Sequence, residues 1–195
     1  KFDARARLQF NAKVNDRTDA VVRVASDSFE LGNTKDVGVK VDRAYVNHKF
    51  GERVSLKAGR FGQVLGGGLA FDGTFDGAQF NAGNDKVNLQ AAYGYMVSGD
   101  RTLVAGATTT ALTKDANVTH SIVNLNGKVG KHTMVGGFYD RVNQSTGYKN
   151  LYGFNANANF DKVWVGGEWL KASNVNESQA WTAGLGFGNY NQAKQ

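Results

Sequence analysis

The chain has 195 residues, 25 of them glycine, with no proline and no cysteine. Disulfides and cysteine-based metal sites are therefore excluded. Hydrophobic residues make up 41% and charged residues 21%, which is enough apolar material for an ordered fold, yet no run approaches the ~18 consecutive apolar residues of a helical membrane span. The formal net charge is +6, from 23 Lys and Arg against 17 Asp and Glu. The cations are scattered singly along alternating stretches, a poor match to a nucleic-acid footprint.

Residues 2–14 place Phe2, Ala4, Ala6, Leu8, Phe10, Ala12 and Val14 on one parity and Asp3, Arg5, Arg7, Gln9, Asn11 and Lys13 on the other. Strict alternation predicts a strand with one apolar and one polar face. Strands in globular proteins usually run about 5–6 residues. This one would span roughly 43 Å at about 3.3 Å per residue, enough to cross the ~25 Å apolar band of a membrane barrel when tilted.

Weaker alternation predicts strands at 19–29, 37–50, 53–61 and 75–82. The parity of the 37–50 strand slips near Asp42-Arg43, where a bulge is expected. Residues 87–97 alternate cleanly, with Val87, Leu89, Ala91, Tyr93, Tyr95 and Val97 on one side. Strands follow at 119–129, 132–142, 152–160, 163–171 and 180–190. In 152–160, Tyr152, Phe154, Ala156, Ala158 and Phe160 face away from Asn155, Asn157 and Asn159. The expectation is about eleven strands in a single domain over residues 1–195.

The connections alternate short and long. Short turns fall at Asn15-Asp16-Arg17, Gly51-Glu52, Gly83-Asn84-Asp85, Gly130-Lys131 and Asp161-Lys162, and longer loops at 31–36, 62–76, 98–118, 143–147 and 172–179. Short turns at one end and long loops at the other describe the two rims of a bacterial outer-membrane barrel. Phe50 and Phe160 flank short turns and are either interfacial-girdle or ordinary strand-end aromatics. An odd strand count, and a first strand running from the long-loop side, lead us to expect a fragment with at least one further strand before it and several after.

Catalytic patterns are sparse. His48, His120 and His132 lack the spacing of a zinc site. Gly66-Gly67-Gly68 lacks the Lys-Ser/Thr of a phosphate loop. Asp72, Asp76 and Asp85 lack the spacing of a calcium loop. No cofactor and no enzymatic activity are expected. Gly184, Gly186 and Gly188 share one parity and either clear space in a lumen or permit curvature.

Some stretches are similar to a known family. Ala6-Arg7-Leu8-Gln9-Phe10 resembles an early strand of the general, non-specific trimeric porins. Ala58-Gly59-Arg60-Phe61-Gly62-Gln63-Val64 resembles the strand end that leads into their constriction loop. Asp72-Gly73, Asp76-Gly77 and Phe80 follow in the same order. The wording is closest to the porin barrels joined to S-layer-homology domains in diderm Firmicutes.

The resemblance implies an antiparallel transmembrane β-barrel of sixteen strands in the bacterial outer membrane, of which this chain would supply strands two to twelve. It implies a homotrimer in contact with outer-membrane lipid and lipopolysaccharide, passing ions and small hydrophilic solutes. Any peptidoglycan contact would run through domains absent from this chain. It also implies pore-lining arginines at Arg7 and Arg60, with Arg5 and Arg23 completing the wall, and Asp72 and Asp76 opposite on an in-folded loop. Opposed charges would set a transverse field across a water-filled channel, and Arg suits such a wall because it stays charged when confined.

Two other functions fit the alternation. One is a soluble or surface β-sandwich binding module such as a lectin or adhesin. The other is a structural barrel that anchors the envelope without conductance.

Overall fold

A computed structural model describes residues 2–32, 35–100, 118–143, 148–173 and 178–188. Among these residues the chain is all β, with no helix. β1 (Asp3–Ala4) and β4 (Phe29–Glu30) form a small two-stranded ribbon. The remaining strands are β2 (Arg7–Asn15), β3 (Thr18–Ser26), β5 (Val39–Lys49), β6 (Val54–Leu65), β7 (Phe71–Gly83) and β8 (Val87–Asp100), then β9 (Thr119–Val129), β10 (Thr133–Asn143), β11 (Asn150–Phe160), β12 (Val163–Ala172) and β13 (Gln179–Phe187). These 11 strands form one sheet, not two packed ones. Each pairs antiparallel with its neighbour in the chain, β3 passing directly to β5.

The eleven expected strands are present, and so is the bulge. Arg23 pairs with Arg43 and Val24 with Val41, which leaves Asp42 as the extra residue of β5. The expected strand over 2–14 is divided. Ser26 donates its backbone N–H to the Ala6 carbonyl at 2.9 Å, and its hydroxyl accepts the Ala6 N–H at 2.9 Å. Arg5 Nε donates to the Ser26 carbonyl at 3.2 Å. This clasp breaks the strand at Arg5-Ala6, so the first two-residue piece pairs with β4 instead.

The short turns follow from their residues. Asn15 Oδ1 accepts the Arg17 N–H at 2.9 Å, and Asn84 Oδ1 accepts the N–H groups of Lys86 and Val87 at 2.8 and 3.0 Å. Such side-chain bonds replace a backbone turn bond. Asp161 adopts φ +53° in the two-residue connection from β11 to β12, a conformation Asp tolerates better than most residues.

One face of the sheet leaves many of its large apolar side chains exposed, while the other is enclosed. In β9, Val123, Leu125 and Val129 are 45%, 49% and 58% exposed, while His120, Ile122 and Asn124 are buried. In β11 and β13, Tyr152, Phe154, Trp181, Leu185 and Phe187 are exposed. The face bearing Asn124, Asn155 and Glu168 is the enclosed one.

Towards the long-loop end that inner face holds an apolar core, including Phe61, Leu65, Phe71, Phe75, Met96, Ile122, Phe138 and Leu170. Residues 66–70 fold onto it. Leu69 donates its N–H to Glu168 Oε2 of β12 at 3.0 Å, across 99 residues of sequence. A single sheet can make that contact only by curling about its inner face. The glycines of this connection give it room. A Cβ at Gly66 would strike Glu168 Oε1, and one at Gly67 would lie 2.8 Å from Glu168 Oε2.

A row of glycines, Gly59 opposite Gly77 and Gly77 opposite Gly94, crosses β6, β7 and β8. A Cβ at each would collide with the backbone of the adjacent strand, so the strands approach more closely there than side chains allow. Gly184 resolves differently. It lies opposite Gly166, and the Trp164 ring covers both, 2.7 and 2.6 Å from where their Cβ atoms would be. Both glycines make room for the indole.

Candidate functional site

The polar parity of β2 carries Arg7, Gln9, Asn11 and Lys13. Gln9 lies opposite Arg23 and Arg23 opposite Arg43, so one face gathers Arg7, Arg23 and Arg43 across three strands. Like charges this close need a counter-charge or water. The bulge supplies the first. Arg23 grips Asp42 through both oxygens, Nε to Oδ1 at 2.8 Å and Nη2 to Oδ2 at 2.9 Å. Two parallel charge-assisted bonds fix the guanidinium plane as well as its position. Arg43 Nη1 donates to the Asp42 carbonyl at 2.7 Å and to Thr74 Oγ1 at 3.0 Å.

The expected wall is therefore only partly assembled. Arg7 and Arg23 share a face, and Arg5 sits beside them in the Ser26 clasp. Arg60 does not join them. It alternates with Phe61, and its cross-strand partner Asp76 alternates with Phe75. Phe61 and Phe75 stack in the core with centroids 5.6 Å apart, so Arg60 and Asp76 leave the sheet on the opposite side. They form their own bidentate pair, Nε to Oδ1 at 2.7 Å and Nη2 to Oδ2 at 2.6 Å.

The aspartates are not on a loop either. The expected loop at 62–76 shrinks to residues 66–70, because β6 runs through Leu65 and β7 starts at Phe71. Asp72 lies within β7 opposite Val64, and Asp76 lies opposite Arg60. Cross-strand packing of Leu65 with Phe71 and Phe61 with Phe75 outweighs the turn preference of the two Asp-Gly pairs. Arg43 and Asp42 were not among the expected site residues. Their signal was the parity slip at that dipeptide.

Towards the short-turn end, the same inner face opens into a groove of about 660 Å³ between β2 and β8. Its lining includes the amides Asn11, Asn47, Gln79, Asn81 and Gln90. Lys57 lies along its floor with its ammonium 5.4 Å from the Tyr45 ring centre and 5.3 Å from that of Phe61, a cation–π arrangement.

A buried pair sits deeper in the core. His120 Nδ1 and Asp140 Oδ2 are 2.8 Å apart, and both side chains are fully enclosed. His120 Nε2 and Asp140 Oδ1 have no hydrogen-bond partner. Among the described residues no cluster of His, Asp and Glu has the makings of a metal site.

No protein-family model matches the chain, and no curated protein matches it.

Proposed function

We propose that the protein is an outer-membrane barrel that forms a water-filled channel for passive diffusion of ions and small hydrophilic solutes. The carrying observation is the exposed apolar face of the sheet. Large apolar side chains such as Leu125, Phe154 and Trp181 are exposed on one face while Asn124, Asp140 and Glu168 are buried on the other. Water would penalise that arrangement along a whole sheet, since soluble monomers rarely expose contiguous apolar patches beyond a few hundred Å². Lipid favours it. From Tyr152 to Phe160 the exposed parity of β11 covers about 26 Å at roughly 3.3 Å per residue, the scale of the ~25 Å apolar band of such barrels.

Antiparallel meander order and tight turns along one end support the same reading. So does the arginine cluster on the inner face, which would bias the channel towards anions. On this reading the protein sits in the bacterial outer membrane against lipid and lipopolysaccharide and assembles as a homotrimer.

Planar-bilayer conductance of the detergent-purified protein, in salts whose ions differ in size and charge, tests the pore. Stepwise currents with an anion preference are expected. Arg7→Ala combined with Arg23→Ala should move the preference towards cations, whereas Arg60→Ala should leave it nearly unchanged. Selectivity indifferent to the first pair would remove the arginine wall from the account. A second reading has its own support, because residues 66–70 lie across the inner face, tied to Glu168. Membrane insertion without current would favour this anchoring barrel without conductance.

A further inference from the structure

The outward face of β9 to β12 is banded along its strands. In register, Tyr139 lies opposite Tyr152, and Tyr152 opposite Lys171. One row towards the long-loop end, Arg141 lies between Ser121 and Asn150. One row towards the short turns, Gly137 lies between Leu125 and Phe154, and Phe154 lies opposite Trp169. From the loop end the order is polar and cationic groups, then tyrosine, then apolar side chains.

The apolar row has a gap in it. Gly137 presents no side chain, and between Leu125 and Phe154 it floors a groove of about 370 Å³ walled by Tyr139, Tyr152 and Trp169. The walls are held in place. Trp169 packs against Phe154 and Tyr152 with centroids 5.4 and 6.1 Å apart, and Tyr139 Oη donates to Asn150 Oδ1 at 2.6 Å. The lining carries no charge, so the groove suits a hydrocarbon chain. The loop-end side suits an anion. Arg141 and Lys171 are exposed, and among the described residues no Asp or Glu shares the outward parity of β9 to β13. Arg141 stands four residues beyond Gly137, roughly 13 Å at about 3.3 Å per residue, the step from a lipid phosphate to the upper part of its acyl chain. Tyrosine between the two is the usual side chain at that depth.

We infer that this face holds one phosphate-bearing lipid at a fixed place, its phosphate between Arg141 and Lys171 and one acyl chain in the groove over Gly137. The inference rests on the proposed function in one respect, namely that this face meets lipid. Cations beside a membrane surface select anionic headgroups, whereas lipid that merely surrounds the protein exchanges without preference.

Fluorescence of Trp169 tests it. Trp181 is exposed on the same face, so Trp181→Phe serves as the parent, while Trp164 lies over Gly166 and Gly184 on the inner face. The protein is placed in phosphatidylcholine vesicles with a minor fraction of phosphatidylglycerol. Brominated acyl chains, which quench tryptophan on close approach, are carried by one lipid or the other. Half-quenching is expected at about a tenfold lower mole fraction of brominated phosphatidylglycerol than of brominated phosphatidylcholine. Arg141→Gln combined with Lys171→Gln should erase that preference. Gly137→Leu should erase it independently by filling the groove. The first contact of its Cβ, the Gly153 carbonyl oxygen at 3.4 Å, is an ordinary one. Ala183→Leu, which adds the same bulk to the same face outside the groove, should keep the preference.

Equal quenching by the two brominated lipids in the parent, or a preference that survives either the charge variant or Gly137→Leu, would overturn the lipid site and leave the membrane reading standing. Quenching by neither lipid would overturn both, because the apolar face would then not meet lipid.

Discussion

Asp140→Ala should lower the stability of the folded protein by about 1–3 kcal/mol, the usual consequence of leaving a buried hydrogen-bonding group without its partner. The argument is local. Asp140 and His120 are both 0% exposed and have each other as their hydrogen-bonding side-chain partner. Their strand neighbours in register are Ile122 and Leu151 for Asp140, and Val142 and Gly94 for His120. Truncating the aspartate leaves the imidazole desolvated among apolar groups with neither nitrogen bonded.

The double variant His120→Leu with Asp140→Val should recover most of the loss, because it removes both polar groups at once. Denaturant midpoints of the four proteins of this cycle, refolded in lipid vesicles, measure the effect. A loss under about 1 kcal/mol for Asp140→Ala would place it with ordinary surface substitutions and show that water reaches the pair.

Gly59→Ala should cost about 3 kcal/mol. Gly59 holds φ +123°, a conformation that charges an L-residue roughly 1–3 kcal/mol in strain. Its new Cβ would also strike the Ala44 carbonyl oxygen and lie 2.9 Å from Tyr45 Cα. Both are backbone atoms of β5, so relief requires the two strands to separate. Overpacking of this kind adds about 1–3 kcal/mol. Gly130→Ala makes a useful contrast. It too has positive φ, at +70°, but its Cβ would meet nothing within 4 Å, so it should lose only the strain. The same vesicle-unfolding assay compares them, and equal losses at the two sites would mean that the close approach of β5 and β6 is not rigid.

Much of the sheet was legible because its signal is local. Alternation in 87–97 and 152–160 needs only the period-two geometry of a strand, and the turns at Asn84 and Asp161 need only their own side chains. The bulge at Asp42 was legible for the same reason, since an extra residue shifts parity. The break at Arg5-Ala6 was not, because its cause is Ser26, on another strand. The length of β6 and β7 was misjudged because Asp-Gly pairs read as turns, whereas Phe61, Leu65, Phe71 and Phe75 hold the hairpin straight from across the sheet.

The site was less legible still. Arg60 and Asp76 meet through register alone, and nothing in their spacing of sixteen residues announces a pair. The inner core had a signal of its own. Ile122 and Leu151 fall on the polar parity of their strands and each interrupts the alternation, while Phe138 and Leu170 share a mixed parity with Asp140 and Glu168. Such interruptions look like noise strand by strand. They become a core only when the sheet curls and brings β6 to β12 together around residues 66–70.

The central claim is that the apolar face meets lipid and the amide- and arginine-bearing face meets water. The chain has no cysteine, so a single introduced cysteine carries a spin label at one known place. Labels placed in turn at residues 123 to 127 of β9, with the protein in lipid vesicles, can be probed with oxygen, which concentrates in lipid, and with a nickel chelate, which stays in water. The account predicts a period of two, with oxygen accessibility highest at Val123 and Leu125 and chelate accessibility higher at the asparagines of the other parity, above all at Asn126, which is less buried than Asn124. Chelate access to Val123 and Leu125 equal to that of the asparagines would contradict it and return the apolar face to water.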